Sequence, residues 1–444
     1  MTHALAAAWQ DGPRAVAARA EELLADLPRK ADRTPEQRRL LGAAVDEARR
    51  GRSTFMAEHG QALYDALTHA RTRYLWLDEL VYAAADLLDG LAPTREQMSA
   101  ESVLAQADKE GREIDQAIFF AGVLRHERAG EHLMDAALRP TDRSLALLPE
   151  FTAHGVVDLG PLRVELDGHT AHLTVTNPAA LNAEDNDLIA AMDVGVDLAL
   201  LDDRVKVGVL RGGEMTHPRY QGRRVFSAGI NLVHLDAGRI SYTDFLLRRE
   251  LGYISKLHRG VLPVDADGNV LAGHGTHWST RTVQKPWIAA VDTFAIGGGM
   301  QLLFAFDRVI AASDAYFSLP AAQEGIIPGV ANLRLPRIAG SRIARQVILS
   351  GRRIHATDRE ARLICDTVVD AADPAGPADL DTAVAAAAEE LSAPAVVANR
   401  TMIGLAEEPL PVLRAYLAEF ALQQGLRLYA PDVLEKTSKF GRAT

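Results

Sequence analysis

The chain has 444 residues, enough for two or three domains at roughly 150 residues each. Hydrophobic residues make up 48% of it and charged residues 24%, an ordinary globular composition. The formal charge is −11 and basic residues cluster only in pairs such as Arg223-Arg224 and Arg352-Arg353, which argues against nucleic acid as a partner. One cysteine, Cys365, rules out a disulfide framework and a cysteine-rich zinc site, so a cytoplasmic location and a buried, unreactive thiol are expected.

The first 30 residues carry several acids and no continuous apolar stretch, so no secretion signal is expected. Helix then follows helix to about residue 155. Thr34-Pro35-Glu36-Gln37 reads as a capping box with proline at the first helical position, and Thr94-Arg95-Glu96-Gln97 repeats the signal. Between them Tyr74, Leu77, Leu80, Val81, Ala84, Leu87 and Leu88 form one helical stripe that stops at Gly90. This region is expected to be a helical packing or assembly domain over 1–155.

From Val156 the texture changes to α/β. Leu162, Val164, Leu166 and then Ala171, Leu173, Val175 alternate with polar residues around Asp167-Gly168, the pattern of a hairpin. A helix is predicted over Asp187 to Leu201 and a strand over Val205 to Leu210. Polar, glycine-rich stretches near 211–224 and 259–280 read as loops, and Tyr242 to Leu251 as helical. Trp287 to Phe306 carries a single charge, Asp292. Three consecutive glycines and missing flanking anchors make it a buried strand followed by a buried helix, not a membrane span. A core over 156–374 and a C-terminal helical, oligomerising region over 375–444 complete the expected organisation.

Two glycine-bearing turns carry the chemistry. Phe226-Ser227-Ala228-Gly229-Ile230-Asn231-Leu232 is a tight turn, and Ala295-Ile296-Gly297-Gly298-Gly299-Met300-Gln301 joins a strand to a helix. Glycine lets backbone approach a ligand, and amides at a helix N-terminus can hold a developing oxyanion. No Gly-Lys-Ser/Thr follows, which rules out a phosphate-binding P-loop. His217, His234, His258, His274 and His277 are scattered without metal-ligand spacing, so no metal site is expected.

In this order, Asn182-Ala183, Ala228-Gly229, Lys285 through Asp292, Gly297 through Leu302, Asp307, Phe317 through Pro320, Gly325, Ile327-Pro328-Gly329 and Ser350 through Ile354 resemble the signature of the crotonase (enoyl-CoA hydratase/isomerase) superfamily. The resemblance covers roughly 160–375. It implies a spiral of ββα units with an N-terminal all-helical domain and C-terminal helices, assembled as a homotrimer or homohexamer. It implies a thioester oxygen between the amides of Ile230 and Gly298, and coenzyme A near Leu232 and Lys436. Glu184, Arg249 and Gln301 are the residues it places against the substrate, with Arg249 preferred to Arg248 because neighbours on a helix diverge by about 100°.

Departures from the family pattern narrow the reading. Hydratases use two glutamates as acid and base, and here Gln301 and Ala321 stand at those places. Neither can exchange a proton near neutral pH, so hydration is not expected. Together with the helical extension and long loops, this resembles the family's cofactor-independent dioxygenases of aryl-acetyl-CoA thioesters, implying O₂ as co-substrate and no cofactor. Two other readings stay open: a thioesterase or decarboxylase of the same superfamily, and a non-catalytic acyl-CoA-binding protein.

Overall fold

The computed structural model describes residues 2–265, 268–271, 282–370 and 379–441. The chain forms two compact units, each drawn from separated stretches of sequence. One comprises Met1–Ala137, Leu232–Leu247 and Leu410–Thr444, the other Leu138–Asn231 and Arg248–Pro409.

The first unit is helical among its described residues. Both expected capping boxes form. Thr34 accepts from the Gln37 amide and Gln37 returns to the Thr34 amide, opening a 33-residue helix, Pro35–Leu67, about 50 Å long. Thr94 and Gln97 do the same for Arg95–Ser102. The apolar stripe is helical over Leu77–Leu87 and ends before Gly90, whose φ of +80° suits glycine. Helix Arg112–Arg125 is buried nearly throughout, and Leu410–Arg427 lies so close to it that a side chain at Gly425 would meet Ala117 at 2.5 Å. Tyr242 joins this packing, donating its hydroxyl to the Ala421 carbonyl at 2.9 Å while its amide donates to buried Glu113.

The second unit holds both sheets. A seven-stranded sheet runs β1 (Val156–Asp158), β2 (Leu162–Asp167), β3 (Thr170–Val175), β4 (Val207–Gly212), β5 (Trp287–Val291), β7 (Arg308–Ala312), β10 (Thr367–Val369). A second sheet runs β6 (Phe294–Ile296), β8 (Tyr316–Ser318), β9 (Ile354–His355). The predicted hairpin is β2–β3, antiparallel with Leu162 opposite Val175, and β3, β4, β5, β7 and β10 run parallel. The ββα repeat is visible directly. β5, β6 and helix Gly298–Leu303 form one unit, and β7, β8 and helix Ala321–Glu324 the next. Each sends its first strand to the large sheet and its second to the small one.

The single buried strand expected over the start of Trp287 to Phe306 is therefore two strands in two sheets. Asp292 and Thr293 (φ +59°) make the corner, where the period of a continuous apolar run cannot mark a change of sheet. No helix among the described residues is long and apolar enough to cross a membrane. Helix Leu380–Leu391 covers one face of the large sheet, packing Val384 and Ala388 on Val209, Ile288 and Ile310. Helix Asn186–Leu201 packs on β2 and β3 through Gly195, where a Cβ would stand 2.6 Å from Leu162. Cys365 is buried, and burial pushes its thiol up to about 12, as expected of an inert packing residue.

Candidate active site

The first turn is held between two neighbours. Glu184 donates its amide to the Gly229 carbonyl at 2.7 Å, and its carbonyl accepts from the Asn231 amide at 2.8 Å. Ile230, between those two, therefore turns its own N–H away from Glu184 and toward the side where Ser227 pairs with β6. Buried Asn182 fixes the approach of this segment: its Nδ2 donates to the Val225 carbonyl at 2.7 Å and its Oδ1 accepts from the Asn177 amide at 2.9 Å.

The second turn lies directly alongside. Gly297 has φ 55° and ψ −119°, a conformation open to glycine, and starts helix Gly298–Leu303. A Cβ on Gly229 (φ +83°) would sit 3.1 Å from the Gly298 nitrogen and 2.9 Å from the Ile296 oxygen, so a bare backbone is required for the turns to meet. The N–H groups of Ile230 and Gly298 have no hydrogen-bond partner among the described residues. Two unpaired amides at half-buried positions, one on a helix's first turn, are what a developing oxyanion needs.

A buried polar network backs these turns. Arg249, 4% exposed, donates from Nε to Glu184 Oε2 at 2.8 Å and from Nη2 to Glu184 Oε1 at 3.1 Å. Its Nη2 also donates to the Gly298 carbonyl at 2.8 Å, and its Nη1 to Glu250 at 3.1 Å and to the Gln301 side-chain oxygen. Gln301 in turn donates from Nε2 to both Glu250 oxygens, at 2.7 and 2.8 Å. Tyr253 donates to Glu184 at 3.5 Å, and burial raises its phenol well above the ordinary value. Burial by itself would lower the Arg249 pKa, but the carboxylates of Glu184 and Glu250 outweigh it and hold the guanidinium charged. Arg248 turns elsewhere, to Asp193 at 2.6 Å, as the divergence of helical neighbours predicts.

Glu184, Arg249, Gln301, Ile230 and Gly298 are thus brought together, and the side chain of Gln301 is engaged by Arg249 and Glu250. Sequence reasoning missed Glu250 and Tyr253. Their signal was weak: charged and aromatic residues in a helical stretch whose phase is reset by a π-helix over Tyr242–Leu247 before Arg248–Leu251. Leu232 and Lys436 belong to the helical unit, where Leu232–Asp236 packs against Pro431–Gly441. Ala321 is buried at the start of its helix. Among the described residues no group of histidines, cysteines and carboxylates could hold a metal ion; His274 and His277 lie outside them.

A ββα spiral with two glycine turns presenting free amides is the architecture of an acyl-CoA enzyme. The chain belongs to the crotonase (enoyl-CoA hydratase/isomerase) superfamily: the Enoyl-CoA hydratase/isomerase family pattern matches residues 271–402. It is 54% identical over 424 residues to the (3,5-dihydroxyphenyl)acetyl-CoA 1,2-dioxygenase of Amycolatopsis orientalis, covering 96% of this chain and 94% of the relative. The short-chain-enoyl-CoA hydratase of Clostridium acetobutylicum is 28% identical over 203 residues, 46% of this chain and 66% of that protein. The solved enoyl-CoA hydratase of Mycobacterium avium subsp. paratuberculosis matches the fold with a TM-score of 0.50 at 22% identity, covering 64% of this chain and 97% of its own. The dioxygenase match therefore spans the chain, whereas these two hydratase matches cover parts of it.

Proposed function

We propose that the chain is a dioxygenase that converts 3,5-dihydroxyphenylacetyl-CoA and O₂ to 3,5-dihydroxyphenylglyoxylate and free coenzyme A, without a cofactor. The observation that carries the reading is the end-to-end likeness to the Amycolatopsis orientalis dioxygenase. The site supports it. The free amides of Ile230 and Gly298 would hold the thioester oxygen, and Gln301 and Ala321 leave no acid–base glutamate pair for adding water.

The chemistry balances without an added oxidant or reductant. The α-CH₂ is acidified by the thioester and the ring, and loses a proton as negative charge moves to the oxygen between the two amides. The enolate passes one electron to O₂, and recombination forms the α-carbon–oxygen bond of a peroxide. Its terminal oxygen attacks the thioester carbon and expels coenzyme A thiolate. Cleavage of the O–O bond and of the remaining α C–H bond leaves the α-keto acid. Glu184 and Arg249 are proposed to read the ring hydroxyls, Gln301 to line the acyl site, and Leu232 and Lys436 to contact coenzyme A.

A homotrimer or homohexamer is proposed for the assembly. Helix Val396–Glu407 buries no residue in the single chain and exposes Met402, Ile403 and Leu405. A cleft of about 550 Å³ beside it is lined by Phe304, Phe306, Ile338, Leu363 and Ile403. Apolar surface of this kind supports a contact with another copy. Oxygen uptake with 3,5-dihydroxyphenylacetyl-CoA tests the function: one O₂ is expected per coenzyme A released. Coenzyme A release that continues unchanged without O₂ would make the protein a thioesterase.

A further inference from the structure

We propose that Glu250 is a positioning residue: its buried carboxylate sets which end of the Gln301 amide faces Arg249, and thereby holds the guanidinium at the oxyanion turn. Glu250 is 3% exposed and its oxygens are fully occupied. Both accept from Gln301 Nε2, Oε2 accepts from the Val330 amide at 3.0 Å, and Oε1 accepts from Arg249 Nη1 at 3.1 Å. Space for this junction comes from Gly329, at φ 45°, where a Cβ would stand 2.1 Å from Glu250 Oε1 and 2.3 Å from Gln301 Nε2.

The two ends of a glutamine amide have nearly the same shape, so only the neighbours' chemistry orients it. A carboxylate accepts and cannot donate, so the NH₂ must face Glu250. A guanidinium donates and cannot accept, so the oxygen must face Arg249. Turning the amide over would oppose donor to donor on one side and acceptor to acceptor on the other. Gln301 thus acts as a bridge that carries the orientation imposed by Glu250 to the guanidinium, which also contacts Gly298 and Glu184. The Glu250 carboxylate stands one hydrogen bond behind Gln301 and is shared with the Val330 amide.

The inference rests on the dioxygenase reading for its kinetic arm and stands without it for its structural arm. Glu250→Gln leaves one acceptor oxygen where the carboxylate served three donors, Gln301 Nε2, Arg249 Nη1 and the Val330 N–H, and must turn its own NH₂ against at least one of them. The substrate-free crystal structure of this variant is expected to show Gln301 or Arg249 displaced. Its kcat for O₂ uptake should fall at least tenfold with KM changed less than threefold. The double variant Glu250→Gln, Gln301→Glu exchanges amide and carboxylate: the new amide accepts from the Val330 N–H and donates to the carboxylate at 301, which accepts from Arg249 Nη1, and only the direct contact of Arg249 with position 250 is lost. It should return Arg249 to its place and exceed Gln301→Glu alone in kcat. Wild-type kcat in Glu250→Gln, or Gln301 and Arg249 unmoved in its structure, overturns the proposal. Should Glu250→Gln fail to fold, a folded double variant no faster than Gln301→Glu overturns it as well. A wild-type protein that takes up no O₂ with this thioester removes the dioxygenase reading instead, and the crystal structures alone then decide for or against Glu250.

Discussion

Gly298 carries two constraints at once. Its amide has no partner among the described residues, and its α-carbon faces an ion pair: a Cβ there would lie 2.6 Å from Glu184 Oε2 and 3.0 Å from Arg249 Nη2. A side chain at 298 therefore strikes Glu184 and Arg249, a closer obstacle than the open site the turn pattern suggests. Gly298→Ala is expected to displace that pair and lower kcat on the order of 10²-fold, the scale of losing one oxyanion donor, with circular dichroism unchanged. Wild-type turnover would place the reacting carbonyl elsewhere. Gln301→Glu is the complementary change. It sets a second carboxylate against Glu250, whose oxygens now accept from the amide at 2.7 and 2.8 Å, and adds negative charge beside the proposed enolate site. Oxygen uptake should fall, and crotonyl-CoA hydration should not appear in its place because Ala321 still offers no second acid.

At the scale of elements, glycine packing and buried charge make separate predictions. Gly195 lets helix Asn186–Leu201 settle on β2 and β3, with Leu162, Val164 and Leu173 all within 3.3 Å of a would-be Cβ. Gly195→Val should lower stability by about 1–3 kcal/mol through overpacking, read as a lower denaturation midpoint, while kcat per folded molecule is kept. The second case lies between the segments around His258 and Glu408. Burial, reinforced by Arg334, pushes His258 down to about 3. Burial alone would raise Glu408, yet Arg334, bonded to it at 2.7 and 2.9 Å, brings it down to about 2.

Both shifts act in the same direction. The folded state binds fewer protons than the unfolded one between pH 6.5 and about 3 at His258, and between pH 4.5 and about 2 at Glu408. Stability is present in full above pH 6.5 and is lost as pH falls through that window. Tm measured from pH 7 to pH 4 should decline, and His258→Asn should flatten the part above pH 5. An unchanged slope in that variant would assign the acid lability to other groups.

For the whole molecule, the proposed reaction runs without a cofactor. Exhaustive chelation should leave the O₂ uptake rate unaltered, and a loss restored by one metal alone would refute it. Assembly gives a second test. Met402→Glu with Leu405→Glu places charge on the exposed apolar face of Val396–Glu407 and should shift the protein to a smaller species in light scattering. A mass identical to the wild type's would remove this face from the interface.

What the amino-acid sequence determined by itself was whatever depends on near neighbours. The capping boxes at Thr34 and Thr94 join residues three apart. The hairpin around Asp167-Gly168 and the buried strand Trp287–Val291 follow from alternation and apolar runs over five or six residues. Both glycine turns were legible because φ values near +83° at Gly229 and +55° at Gly297 demand glycine locally. The tertiary structure alone decided who meets whom. Glu184 and Arg249 are 65 residues apart, Glu250 and Gln301 are 51, and Glu250 and the Val330 amide are 80. The π-helix over Tyr242–Leu247 resets the helical phase just before these residues, so counting at 3.6 per turn could not tell that Glu250 faces inward. Nor could periodicity show that 232–247 belongs with the N-terminal helices while 248 onward belongs with the sheets. Period and turn chemistry report the local chain, whereas a buried charge is stable only where distant groups supply its partners, and only the folded chain brings those together.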